Sequence, residues 1–389
     1  MMTKLVNKMK ANNSRYTCLL LILLTSFLGA CRKDLQVIPE EQEGVIPADP
    51  SRRLQGFYLV NEGNMGMNKA SLDYMDFSTG VYRRNTYNQM NPAQINGLGD
   101  VANDVGIYGS KLYIVVNISN KVEVLDAKSG KRIQQINVTN PRYITFKDGK
   151  AYVSAYLGKV GVPNAPNGVV IQIDTASLKE EKRIEVGRQP EEMAIVAGKL
   201  YVANSGGYTP LNYDTRVSVI DLNTFTVVRN IEVAINLHRV KADKYGDLYV
   251  TSRGNYLDIH SKIFVIDTQT DLVKTRFDIG ASNMVIDDDV AYLYGSEWSS
   301  NTGKFSLSYG MLDVKDEKIL NKKFITDGTE ANIMIPYGIA VDKYTKEVFV
   351  TDARDYVSPG VLYCFDPAGK KKWSVVTGDI PAHFAMVYK

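Results

Sequence analysis

Short runs of aromatic and aliphatic residues recur along the chain in a fixed company. Each is followed by a polar loop, a second aliphatic run and then an aspartate. The copy that runs from Leu200-Tyr201-Val202-Ala203-Asn204 to Val217-Ser218-Val219-Ile220-Asp221 shows the phrase most plainly. The closing aspartates are Asp76, Asp126, Asp174, Asp221, Asp267, Asp313 and Asp366, at intervals of 50, 48, 47, 46, 46 and 53 residues. The first run of each copy carries Tyr58, Tyr113, Tyr152, Tyr201, Tyr249, Tyr292 or Phe349. β-Branched and aromatic residues dominate these runs, and turn sequences such as Lys128-Ser129-Gly130 and Lys147-Asp148-Gly149 separate them, so they predict strands. No amphipathic helix is expected after residue 55. A strand-only repeat of this length predicts an all-β fold, a β-propeller of seven blades.

From the second repeat on, another short apolar strand precedes the phrase, as in Val105-Gly106-Ile107, Tyr143-Ile144-Thr145-Phe146 and Ile339-Ala340-Val341. The first repeat, beginning at Phe57, has none before it. The chain ends on His383-Phe384-Ala385-Met386-Val387-Tyr388, the same kind of strand with no repeat after it. The C-terminal strand is therefore expected to complete the N-terminal blade and to hide both edges, giving one domain over residues 56–389. Blade sheets are covered on both faces, which accounts for continuous apolar runs in place of clean alternation. The recurrent tyrosine is assigned to packing between blades.

The other end of the chain carries an address. Lys4, Lys8, Lys10 and Arg15 precede an apolar run over 18–27 that is too short to span a bilayer comfortably. Leu28-Gly29-Ala30-Cys31 follows and resembles the lipobox of bacterial lipoproteins, in which the cysteine receives lipid. Residues 1–30 are then a signal peptide, with an ordinary secretory peptide or an uncleaved anchor as the alternatives. Cys31-Arg32-Lys33-Asp34 loosely resembles the export signal of Bacteroidetes surface lipoproteins, although Leu35 stands where a second acidic residue would be. Residues 31–55, with Pro39, Pro47 and Pro50, read as the lipidated cysteine and a flexible tether, whose twenty or so residues reach roughly 25 Å. The expected location is the outer membrane, by lipid anchor, on the cell surface.

Charge narrows the partners. The leader holds four of the 46 basic residues and none of the 43 acidic ones, so the remainder carries 42 against 43. Near neutrality, without a basic cluster on the loops, argues against nucleic acid. With Cys18 removed and Cys31 lipidated, Cys364 stands alone in a strand, so no disulfide is possible and a buried apolar role is expected.

Candidate chemistry sits in loops. In a propeller the start of each innermost strand and the end of the second open on one face around the central channel. Second-strand exits carry Tyr156, Tyr208, Tyr256, Trp298 and Tyr356 in five consecutive blades, on long loops expected over 156–168, 205–215 and 297–306. Long loops on a rigid scaffold commonly bind. We assign these aromatics to stacking and apolar contact with a broad ligand, and Asn64, Arg142, His238, Arg253 and Arg354 to hydrogen bonds at its rim. The alternative is that the rings only pin their own loops.

An enzyme is not expected. The chain has only His238, His260 and His383, and no HExxH, CxxC, GxSxG or phosphate-loop pattern. No cofactor or metal is called for. A calcium-dependent lactonase of propeller fold would need a carboxylate and amides converging on the axis, which Glu192, Asn283, Asp104 and Asn103 could supply. Asp287-Asp288-Asp289 reads as a solvated hairpin turn.

The stretch Gly187-Arg188-Gln189-Pro190-Glu191-Glu192-Met193, continuing through Tyr201-Val202-Ala203-Asn204 to Asp221, resembles the YVTN repeat of the YncE-like propellers. Leu59-Val60-Asn61-Glu62-Gly63-Asn64, Gly99-Asp100-Val101-Ala102-Asn103-Asp104 and Tyr113-Ile114-Val115-Val116-Asn117, together with the lipobox, resemble the BtuG-type surface lipoproteins of gut Bacteroidetes. That resemblance implies capture of vitamin B12 and related corrinoids and their transfer to a TonB-dependent outer-membrane transporter. A glycan- or protein-binding accessory lipoprotein using the same face, or a lactonase-like hydrolase, are the other readings, because a fold does not fix a function.

Overall fold

The computed structural model describes residues 41–158, 162, 165–208, 212–299 and 303–389. The expected signal peptide, Cys31 and the first part of the tether lie outside the described residues. Among the described residues no helix is long and apolar enough to cross a membrane.

The strands form seven antiparallel sheets arranged as the blades of a propeller. Blades two to seven have four strands each and follow in chain order over 102–137, 141–188, 190–232, 237–277, 283–319 and 336–379. Blade one is composite. Its innermost strand is Pro381–Tyr388, paired with Leu54–Asn61 through Phe57 opposite Met386 and Leu59 opposite Phe384. Ser71–Asp76 and Val81–Arg84 complete it, so first and last segments of the fold share one sheet, as the unpartnered terminal strand predicts.

The repeated residues have identifiable duties. Tyr58, Tyr113, Tyr201 and Tyr249 are buried between blades, and each hydroxyl reaches the following one: Tyr58 donates to the Ala127 carbonyl (3.0 Å), Tyr201 to Asp271 (2.8 Å) and Tyr249 to the Val314 carbonyl (3.0 Å). The closing aspartates cap the turn between third and fourth strands. Asp126 accepts the Ser129 amide at 2.8 Å, Asp174 that of Ser177 at 2.7 Å and Asp221 that of Thr224 at 2.9 Å. An aspartate that closes its own turn this way fixes where each hairpin folds back. Cys364 is buried in the third strand of blade seven, where desolvation holds its thiol well above the ordinary range.

Three features differ from the sequence expectation. The second half of the expected tether is docked, not free: Glu41–Gly44 adds a fifth strand to blade one beside Val81–Arg84. Val45 and Ile46 then pack against the cluster of Phe57, Phe77 and Trp373. The fit is close, since a Cβ on Gly80 (φ +74°) would lie 1.9 Å from the Ile46 carbonyl oxygen. Arg52 closes this strap with an ion pair to Asp342 at 2.8 Å, a second to Glu347, and its guanidinium 3.8 Å over the Phe77 ring. All four residues of Glu41–Gly44 are exposed, so composition alone reads an edge strand as linker. The second difference is a five-residue helix, Thr86–Met90, too short to leave a periodic stripe. The third is a 3₁₀ turn at Thr329–Asn332.

Candidate functional site

Innermost strands begin, and second strands end, on one face, called upper here; Pro141 lies opposite Ala155 and Pro336 opposite Asp352. A cavity of about 660 Å³ opens there on the propeller axis, lined from every blade. Its floor is built from strand starts: Arg142 and Tyr143 of blade three, His238 and Arg239 of blade five, and Tyr337 of blade seven, with Tyr294 from blade six. Loops carry Met65, Tyr208 and Tyr256 to the rim, whereas Trp298 reaches it on the strand Val290–Ser299, paired opposite Phe305 of Lys304–Asp313 where the sequence predicts a loop over 297–306.

The two levels have different chemistry. Tyr208, Tyr256 and Trp298 leave 48%, 49% and 46% of their surface open around one mouth, a grouping of exposed rings that marks a contact surface. Trp298 leans edge-on against Phe305 (centroids 5.2 Å), Phe305 against Tyr356 (6.4 Å), and Tyr356 against Tyr337 (5.9 Å). This chain of rings makes one wall of the cavity from mouth to floor. It ends where the Tyr337 hydroxyl donates to Glu62 at 2.9 Å. Burial pushes the Glu62 carboxyl up, against that hydrogen bond and the nearby arginines.

On the opposite side the floor is ionic. Glu191 is fully buried and accepts Arg142 through Nε (3.2 Å) and Nη2 (3.0 Å), the Tyr156 hydroxyl (2.7 Å) and Ser205 Oγ (3.3 Å). Arg253 Nη1 lies 3.6 Å away. Burial alone would raise this carboxyl, but Arg142, Arg253 and Tyr156 together outweigh it and hold it below the usual range. Arg142 and Arg239 flank the Tyr143 ring, at 5.8 and 5.3 Å from its centroid. The Tyr143 hydroxyl meets His238 Nε2 at 2.9 Å. Burial, and then the arginines, keep His238 well below its ordinary value, so it is neutral.

Of the ten binding residues expected from sequence, seven line this cavity: Arg142, Tyr208, His238, Arg253, Tyr256, Trp298 and Tyr356. Three do not. Tyr156 is buried with its hydroxyl on Glu191, so it supports the floor instead of presenting a ring. Asn64 sits in the loop beside the lining residues Gly63 and Met65, and Arg354 points outward from an exposed turn. Glu62, Tyr143, Arg239, Tyr294, Phe305 and Tyr337 also line the cavity; the sequence places the first three and Tyr337 at the channel openings but assigns none of the six to a ligand. Tyr143, Arg239 and Tyr337 carried a usable signal, since they stand at strand starts beside the axis.

Of the four residues of the lactonase reading, three share one opening and the fourth lies apart. Asn103 faces the upper cavity and donates to the Arg142 carbonyl at 2.7 Å. Asp104, Glu192 and Asn283 line an opening of about 490 Å³ at the other mouth. There Glu192 accepts the Val240 amide (2.9 Å) and Lys241 (2.6 Å), and Asn283 caps Met284 (2.9 Å). Among the described residues no three His, Cys, Asp or Glu side chains group so as to hold a metal ion.

Asp104 gives that lower mouth a pH signature. Burial, and to a lesser degree Glu192, push its carboxyl from 3.8 up to about 7, against hydrogen bonds from the Ile144 and Val105 amides. The folded chain keeps this proton where the unfolded chain has released it, so the group takes stability away as pH rises from about 4 to about 7. Asp104→Asn is expected to flatten stability across that window, read as urea midpoints near pH 5 and near pH 8.

Solved structures match the fold at low identity. A quinonprotein alcohol dehydrogenase-like protein from Bacteroides thetaiotaomicron is 16% identical over 86% of this chain and 78% of its own, with a TM-score of 0.58. A hypothetical selenium-binding protein from Sulfolobus tokodaii is 12% identical over 90% and 94%, with a TM-score of 0.57. Kuenenia stuttgartiensis hydrazine synthase is 18% identical over 68% and 76%, with a TM-score of 0.53. At these identities the likeness is one of fold alone. No curated protein matches the chain. A family model does match over residues 55–378, nearly the whole propeller, and the chain belongs to the DUF5074 family, described as a domain of unknown function.

Proposed function

We propose that this propeller is a non-enzymatic capture protein that takes a corrinoid, vitamin B12 or a relative, at the mouth of the upper cavity. In this reading it passes the ligand to a TonB-dependent outer-membrane transporter. The observation that carries the proposal is the aromatic wall from Trp298 through Phe305 and Tyr356 to Tyr337, with Tyr208 and Tyr256 open across the mouth. Rings supply contact area at low entropic cost, and a polar floor sets orientation. A corrin edged with amides presents matching chemistry, its ring lying across the mouth and its edge groups meeting Asn103, Arg253 and Glu62. A lipid on Cys31 would hold the molecule at the outer membrane, facing outward; on intact cells, added protease should then degrade it.

Exposed aromatic faces also suit sugar rings, which makes a glycan the second reading. Calorimetry of the detergent-solubilised full-length protein with cyanocobalamin, beside a sugar panel, decides between them. One-to-one binding of cyanocobalamin is expected; no heat at high protein concentration overturns the corrinoid assignment. Replacing both Tyr256 and Trp298 by Ala should weaken capture about 100-fold, in line with the loss of central aromatic anchors. Both rings are half exposed, so the melting temperature should stay where it was.

A further inference from the structure

The floor of the upper cavity holds more positive charge and more donors than its own contacts use. Arg142 is occupied by Glu191. Arg253 stops 3.6 Å from the same carboxylate, beyond hydrogen-bonding range. Arg239 is 5% exposed; its ion pair with Glu192 spans 3.8 Å, and its Nε has no hydrogen-bond partner among the described residues. His238, 7% exposed, is in the same position: Nε2 meets Tyr143 and Nδ1 meets nothing described. In the tautomer in which the Tyr143 hydroxyl donates to Nε2, the ring proton sits on Nδ1, which is then a second unused donor facing the cavity.

The negative groups facing this cluster do not balance it. Glu191 is shared by Arg142, Tyr156 and Ser205, and Glu62 is partnered by Tyr337 and held toward its neutral form by burial. Three guanidinium groups thus stand against one carboxylate firmly ionised on this side; Glu192 reaches Arg239 only at 3.8 Å, from the other mouth, and is itself taken by Lys241 at 2.6 Å. Buried donors are ordinarily satisfied, and guanidinium donors bind phosphate and carboxylate oxygens best.

We infer that the floor is an anion subsite, in which a phosphate or carboxylate of the ligand accepts hydrogen bonds from Arg239 Nε, the Arg253 guanidinium and His238 Nδ1. The ligand is accordingly an amphipathic molecule with an acidic group that enters first and a broad body that stays at the rim. This deepens the capture reading and rests on it only for the body of the ligand.

The test uses detergent-solubilised full-length protein at low salt, titrated by calorimetry with inorganic phosphate. Parallel titrations use cyanocobalamin, which carries a phosphodiester, and cobinamide, which lacks it. Saturable phosphate binding is expected, weakened at least about 10-fold in Arg253→Gln and largely recovered in Arg253→Lys, with cyanocobalamin preferred over cobinamide. Phosphate binding that does not saturate, or that Arg253→Gln leaves unchanged, overturns the subsite. So does equal binding of the two corrinoids, unaffected by Arg253→Gln, and in that case capture itself still stands. Phosphate binding that depends on Arg253, without heat from either corrinoid, supports the subsite and removes the corrinoid instead. Should Arg253→Gln fail to fold, phosphate protection of His238 from diethyl pyrocarbonate replaces it; an unchanged modification rate overturns the proposal.

Discussion

Removal of residues 381–389 is expected to leave a chain that does not fold. Pro381–Tyr388 is the innermost strand of blade one and pairs along Leu54–Asn61. Without it that strand becomes an open edge, and Phe57 loses the Phe384 ring now 5.4 Å away. At about 1 kcal/mol for each ladder hydrogen bond, the pairing alone is worth several kcal/mol, and Phe384, Ala385 and Met386 add apolar contact. The sum rivals the roughly 5–15 kcal/mol by which a domain is stable at all. Circular dichroism and gel filtration would show an aggregated or disordered product. Cooperative melting of the shortened chain at the full-length midpoint would mean that the ring is held by something else.

Glu191→Ala carries the second large effect, an expected loss of about 3–5 kcal/mol, because it strips the partner from buried cations. Arg142 would remain in the floor without a counter-charge, and the Tyr156 hydroxyl without its acceptor. Blades three, four and five meet at this carboxylate, so the damage should spread across the face. The pH dependence has a definite sign. A carboxyl held below its ordinary 4.5 in the folded state contributes fully above that pH, and its contribution falls away as pH drops toward the lower folded value. The wild type should lose stability on acidification below about pH 4.5, and the variant should lose less of it. Urea midpoints at neutral and acid pH measure both; a neutral-pH loss below about 1 kcal/mol would show that the carboxylate is not the hub.

The propeller was legible because its repeated residues each perform a local act. Asp126 and Asp221 close their own turns, and Tyr201 and Tyr249 reach across to the next blade, so one phrase encodes both hairpin and packing. The face of the site was legible for the same reason, since strand starts and ends alternate in register. What composition could not supply was depth. Tyr156 directly follows the strand ending at Ala155 and stays in the packed layer, whereas Tyr208, Tyr256 and Tyr356 lie four residues past their strands and reach the cavity. Arg354, two residues past Asp352, turns outward. The pairing of Glu191 with Arg142, 49 residues apart in the chain, exists only once two blades meet.

The strap over blade one decides where mechanical load enters the molecule. A pull on the chain ahead of residue 41 first meets Glu41–Gly44, a single edge strand that can be peeled one rung at a time. Peeling would stop at Arg52, whose carboxylate partners Asp342 and Glu347 belong to blade seven. Releasing the twelve residues from 41 to 52 would lengthen the leash by about 40 Å at full extension, before any strain reached the ring. A load on that end would thus be taken up by rungs outside the ring before it reached the seam where the propeller closes.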